Sequence, residues 1–322
     1  VLVCRPKIRK DCPRSPWIIP VNRPTNRPMV YELLVVHDRS KEYLEAEFFL
    51  YGAFGHGLDV LAPELTGGGS PPIGGERANF QDWFVRDVII QLAYQQIGHI
   101  RAIRKLVGGF ARPLMDLSAT HFADLMDSAI GVPLQPSFNP YFDDTNFLLA
   151  SYFLPYISFT NYVGTNPLLN STSSRKLFSG LLGVEAGQDT IIRTILYQRA
   201  LQPLFPYDYN VAEITYLLSR LRDRLGNSKS KKDDGVIVPS RDQIPGNAGM
   251  TTLGNIINAD NDFTSFSRTP WEILRIVYET GSASRPGGFF PIGANGNIAH
   301  FYMHATDSNA TICGIQPMSR TR

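Results

Sequence analysis

Gln96-Ile97-Gly98-His99 and Glu185-Ala186-Gly187-Gln188 decide the fold of this chain. Each lies in a stretch whose neighbours at helical spacing are apolar: Leu92, Ile103 and Leu106 around His99, and Phe178, Leu181, Leu182 and Ile192 around Glu185. Residues three apart in a helix lie side by side, so each pair projects two polar side chains inward from an apolar stripe. Helical bundles that hold two metal ions place Glu-x-x-His this way. A third segment, Glu42-Tyr43-Leu44-Glu45, brings carboxylates from another helix. Gln stands where Glu is wanted in the first pair and where His is wanted in the second. The pattern is that of a metal site partly dismantled.

Working outward, 322 residues with 43% hydrophobic and 19% charged composition describe a globular chain able to bury a sizeable core. A net charge of +2 without a dominant basic patch argues against a nucleic-acid binder. Basic residues concentrate in the leader, where Arg5, Lys7, Arg9, Lys10, Arg14, Arg23 and Arg27 face Asp11 among several prolines. Residues 1–30 therefore read as an extended Pro-rich arm, with no apolar signal core. Cys4, Cys12 and Cys313 exclude a dense disulfide scaffold and leave their pairing open. Asn170-Ser171-Thr172 and Asn309-Ala310-Thr311 are glycosylation sequons, relevant in the secretory pathway.

Helical patterns cover residues 31–57, 80–107, 119–130, 145–166, 174–202 and 211–225. The Gly- and Pro-rich connection 58–80 lacks the Gly-Lys-Ser/Thr ending of a phosphate loop. Residues 145–174 carry no charged side chain. Pro155, Asn161 and the preceding acids Asp143 and Asp144 speak against a membrane span there, so we expect a central bundle helix and no transmembrane segment. Asn210 and Glu213 form a capping box, as do Thr269 and Glu272 around Pro270. The expected organisation is a bundle over 31–226, a long irregular polar loop over 227–268, and a C-terminal helix, hairpin and tail over 269–322. Asn295-Gly296 marks the hairpin.

Long strings carry a family likeness: Glu42-Tyr43-Leu44-Glu45-Ala46-Glu47-Phe48-Phe49, Gly98-His99-Ile100-Arg101-Ala102-Ile103, Phe110-Ala111-Arg112-Pro113-Leu114, Gly180-Leu181-Leu182-Gly183-Val184-Glu185-Ala186-Gly187-Gln188-Asp189, and Arg268-Thr269-Pro270-Trp271-Glu272-Ile273-Leu274-Arg275. From about Lys41 to Tyr302 the chain resembles the plant desiccation-related proteins of the ferritin-like superfamily. The resemblance implies an all-α fold: a ferritin-like four-helix bundle with additional helices and a short C-terminal hairpin. It implies association with drying or stress and no defined reaction. On the family's metal pattern, Glu45 matches the first-helix carboxylate with Glu42 beside it, His99 matches the second-helix histidine, and Glu185 matches the fourth-helix glutamate. Gln96 and Gln188 replace a glutamate and a histidine, and the third helix offers no carboxylate.

That donor set favours a hydrogen-bonded polar network without metal, then one weakly held metal ion, over a dinuclear centre. No cofactor, or weakly bound iron or manganese, is the expectation. Three functions stand side by side: a non-enzymatic stress protein with a degenerate metal site; a metal-dependent oxidase or iron-handling protein with one or two irons; and a metal-free enzyme or small-molecule binder using His99 and Glu185 as acid and base. The catalytic residues of any enzyme reading are unknown. His37, His56, His121, His300 and His304 have no ligand-spaced helical partner, and no Gly-x-Ser-x-Gly elbow is present. A second copy of the chain or a cell-wall glycan are the partners considered, and family habit with the two sequons points to a secreted or cell-wall protein.

Overall fold

The computed structural model describes residues 27–239 and 252–294. In chain order they form α1 (Arg27–Phe54), α2 (Leu58–Leu61), β1 (Ile73–Gly74), α3 (Trp83–Val107), β2 (Asp116–Leu117), α4 (Ala119–Ile130), α5 (Asp144–Phe153), α6 (Pro155–Thr165), α7 (Thr172–Gln198), α8 (Val211–Gly226), β3 (Ile237–Pro239), β4 (Thr252–Gly254) and α9 (Pro270–Tyr278). The fold is an all-α, ferritin-like bundle with extra helices. Cys4, Cys12, Cys313, Asn309, His300, His304 and the Asn295-Gly296 turn lie outside the described residues.

Helix boundaries follow from their caps. The Asp82, Ser118, Asp143 and Ser171 side chains accept from the first-turn amides of α3, α4, α5 and α7. Both expected capping boxes form, Asn210 with Glu213 and Thr269 with Glu272, the latter with Pro270 in the first turn of α9. Gly131 ends α4 in the left-handed conformation that a Cβ would disfavour.

The four bundle members are α1, α3, α5 with α6, and α7. Glu42 meets His99 while Glu45 meets Gln96, so α1 and α3 run antiparallel. Tyr162 of α6 packs on Phe178 and Tyr152 of α5 lies against Arg193, so the α5–α6 element and α7 are antiparallel too. Tyr162 reaches Glu42 and Ser158 reaches Glu45, which sets α6 antiparallel to α1 and therefore parallel to α3. Residues 108–143 must then return along the bundle, about 37 Å for a 25-residue helix. They carry β2 and α4 on the way.

The expected third helix is two helices. Pro155 has no N–H and crowds the preceding turn, so α5 ends at Phe153 and α6 starts at Pro155. Nearly every residue from Asp144 to Tyr162 is buried, as befits the central element. None of the described helices is long and apolar enough to cross a bilayer.

Aromatic packing fills the core beside the polar centre. Phe48 stacks on Phe147 with centroids 4.6 Å apart, and Phe122 and Phe289 close the side facing the C-terminal segment. Within 227–268, β3 and β4 pair antiparallel with Val238 opposite Leu253. Buried Arg193 of α7 holds this ribbon by donating to the carbonyls of Asp234, Gly235, Asn255 and Ile256. Arg222 of α8 donates to Asp233 at 2.5 Å, with its guanidinium 4.5 Å from the Tyr152 ring centroid. Backbone groups of a long polar segment thus find partners inside the fold.

Candidate metal centre

All six residues singled out from the sequence lie together in the middle of the bundle, and all are buried: Glu42 and Glu45 from α1, Gln96 and His99 from α3, Glu185 and Gln188 from α7. Three-residue spacing puts each pair on the inward stripe of its helix. His99 Nδ1 lies 3.1 Å from Glu42 Oε2 and 3.0 Å from Glu185 Oε1. Gln96 Nε2 lies 2.8 Å from Glu45 Oε2, 2.9 Å from Glu185 Oε1 and 3.1 Å from Gln188 Oε1. Gln188 turns its own amide nitrogen outward to Gln95 Oε1 at 2.9 Å.

Glu42 rather than Glu45 is the first-helix partner of the histidine. Among the described residues, Glu42, His99 and Glu185 form the acid–histidine group whose ligand atoms all lie within 4.8 Å of one another. Glu45 is engaged elsewhere, by Gln96 and by the Ser158 hydroxyl.

Sequence reasoning missed three participants. The third helix supplies hydroxyls instead of a carboxylate: Tyr162 donates to Glu42 Oε1 and Ser158 to Glu45 Oε1. Their i, i+4 spacing in a stretch without charges was the available signal. Lys41 is also buried, its ammonium 4.9 Å from the Tyr162 ring centroid.

The centre holds more acceptors than hydrogens. The Gln96 amide has two hydrogens for three oxygens, and His99 Nδ1 has one for two. Gln96 Oε1 and Glu185 Oε2 are buried with no hydrogen-bond partner. Burial raises the Glu45 carboxyl well above its ordinary range, with the charges of Glu185 and Glu42 adding to it. Burial likewise raises Glu185, against the pull of its bond from His99. For His99, burial opposes the charged form, but Glu185 and Glu42 outweigh it and push the imidazole up to about 11. Such a cluster needs protons or a cation to satisfy its oxygens.

Two carboxylates, one of them with an oxygen that has no hydrogen-bond partner, an imidazole and the Gln96 amide oxygen fit one cation of the first transition row. They do not fit a dinuclear centre. That centre uses four glutamates and two histidines, whereas here amides and hydroxyls fill several of those places.

The ferritin-like domain model matches residues 40–198, the span that contains α3, α5, α6, α7, the second half of α1 and all six residues of the centre. A ferritin-like catalase of Nesocodon mauritianus is 50% identical over 262 residues, 81% of this chain and 82% of that protein. This chain belongs to the plant desiccation-related, ferritin-like family. A second relative, the desiccation-related protein PCC13-62 of Craterostigma plantagineum, is 49% identical over 255 residues, 79% of this chain and 80% of its own length. No solved structure matches the chain. The matched stretch spans a ferritin-like frame around a centre that includes the amides of Gln96 and Gln188.

Proposed function

We propose that the protein is a desiccation- or stress-associated ferritin-like protein whose bundle core holds one divalent cation weakly, iron or manganese. The convergence of Glu42, His99 and Glu185, with Glu185 Oε2 and Gln96 Oε1 buried without hydrogen-bond partners, carries this reading. When bound, the ion supplies the positive charge that the buried carboxylates otherwise draw from protons. Tyr162 and Ser158 fix the orientation of Glu42 and Glu45, and Gln96 ties Glu45, Glu185 and Gln188 into one array. The association with drying rests on the name of the Craterostigma relative and the 49% identity to it.

Metal analysis of protein from native tissue, followed by manganese(II) and iron(II) titration of the recombinant chain, tests it. Glu185→Gln and His99→Ala should each weaken binding at least tenfold. Wild type and His99→Ala taking up metal equally would discard the site. Unchanged abundance of the protein through drying would discard the stress role.

The identity to a protein named a catalase favours a second reading, removal of peroxide at the same centre. Oxygen release from hydrogen peroxide by the metal-loaded protein, abolished in His99→Ala, would select it. We also propose routing through the secretory pathway to the cell wall. Asn170 is exposed just ahead of α7, where a glycan meets no steric obstacle from burial. Finding Asn170 bare in native protein from a cytosolic fraction would count against that routing.

A further inference from the structure

Away from the polar centre, one end of the bundle turns large apolar side chains to solvent. Trp83 is 78% exposed, Phe84 41%, Phe142 62%, Leu201 81% and Phe205 85%. Scattered apolar side chains on a surface are ordinary, whereas a contiguous group marks an interaction site. These five are gathered by the helix ends they flank. The Asp144 carboxylate accepts from the amides of Gln81 and Asp82 at 3.0 and 3.2 Å, and the Phe142 carbonyl accepts from the Asn79 side chain at 3.3 Å. The start of α5 is thereby tied to the start of α3. Arg199, at the end of α7, donates to Asp82 and to Thr145, each at 3.0 Å, which brings Leu201 to the same end. Phe205 lies in a turn closed by Leu204 N to Tyr209 O at 2.8 Å and Val211 N to Gln202 O at 3.2 Å. Leu204 is buried while its neighbour Phe205 is exposed, so the turn is fixed before any partner arrives.

Area and charge select the occupant. A buried aromatic side chain covers about 150–250 Å², so at these exposures the four rings present roughly 400–650 Å², and Leu201 adds to it. Two copies joined through this face would bury about twice that plus the surrounding rim, which reaches the range of about 1,200–2,000 Å² found for stable complexes. A lipid surface fits less well. Apolar faces that enter bilayers are flanked by Lys and Arg, whereas here Asp82, Asp87, Asp143 and Asp208 outnumber Arg86 and Arg199. A glycan on Asn170 would not cover the face, because Asn170 precedes α7 and Leu201 follows it, about 40 Å along a 27-residue helix. We propose that two copies of the chain join at this end about a two-fold axis, aromatic face against aromatic face. Two identical faces meeting in this way close the assembly at two.

Sedimentation equilibrium of the full recombinant chain at micromolar concentration tests it, with a species of twice 35.9 kDa expected. Leu201→Glu with Phe205→Glu puts charge on the face at two exposed positions and should raise the dissociation constant by at least about tenfold per substitution. Unchanged far-UV circular dichroism checks that the double variant is folded. Trp83→Gln, which removes a ring without adding charge, should weaken the dimer in the same direction. Leu168→Glu, an exposed change at the other end of the bundle, should leave the dimer intact. Wild type sedimenting at 35.9 kDa throughout, a dimer that survives Leu201→Glu with Phe205→Glu, or one lost in Leu168→Glu would overturn the proposal. A wild-type monomer that floats with phosphatidylcholine vesicles, and no longer does so as the double variant, would overturn it in favour of a lipid surface.

Discussion

At the scale of single residues, the two glutamines are where the chain departs from a metal-binding bundle. Gln96 donates into the array, so Gln96→Glu removes two hydrogens and adds a carboxylate, and Gln188→His adds an imidazole. The pair restores Glu-x-x-His on α3 and α7 and should tighten iron or manganese binding, since hard cations favour charged oxygen. Without metal the double variant should be less stable than wild type by roughly 1–3 kcal/mol, the cost of leaving buried acceptors unsatisfied. Calorimetric melting with and without iron checks both, and equal shifts for the two proteins would remove these positions from the metal centre. Asp189, one turn beyond Glu185, is buried near Arg193 and Arg222; burial outweighs their charges and raises its carboxyl to about 6. A raised carboxyl favours the fold when protonated, so its contribution is present below about pH 4 and is lost as pH rises through about 6. Urea unfolding of Asp189→Asn against wild type should therefore show the variant gaining relative stability between those values, up to roughly 3 kcal/mol, and level thereafter. A constant difference across pH would contradict this.

At the scale of elements, the helix glycines divide by what a Cβ would meet. At Gly98 on α3 and at Gly180, Gly183 and Gly187 on α7, an added Cβ has nothing within 4 Å. Alanine there should stabilise by roughly 0.5–1 kcal/mol per site, through lower backbone entropy in the unfolded chain. At Gly164 on α6 the Cβ would lie 2.2 Å from the Arg268 carbonyl oxygen, a backbone atom. Arg268 N donates to Thr160 O at 3.0 Å, so this close approach joins the C-terminal segment to the bundle. Gly164→Ala should destabilise and loosen that junction. Thermal melting of the five single variants provides the comparison, and a lower melting point for Gly98→Ala or Gly187→Ala would show that their outer faces are covered by something beyond the chain.

At the scale of the whole molecule, buried Arg193 joins the long polar segment to the bundle, together with Arg222, Tyr152 and Tyr156. Arg193→Met would leave the carbonyls of Asn255 and Ile256 without their side-chain donor and would remove one of two donors from those of Asp234 and Gly235. The expected loss is about 3–5 kcal/mol, with faster proteolysis within 227–268; cleavage there at the wild-type rate would mean the segment is held by other contacts. That anchoring was not legible in the sequence, where the same stretch reads as irregular and charged, because a partner 40 to 60 residues away in the chain leaves no local periodicity. By contrast, the bundle helices, the capping boxes of α8 and α9 and the convergence of Glu42, Glu45, Gln96, His99, Glu185 and Gln188 could be read directly. Spacing on a helix fixes which side chains share a face, and an apolar stripe fixes which face turns inward. Tertiary structure alone decided that Glu42 and not Glu45 meets His99, that Pro155 splits the central helix so Ser158 and Tyr162 reach the carboxylates, and that Lys41 is buried against the Tyr162 ring. Those outcomes depend on the rotation and register of one helix against another, which packing sets and a linear pattern does not encode.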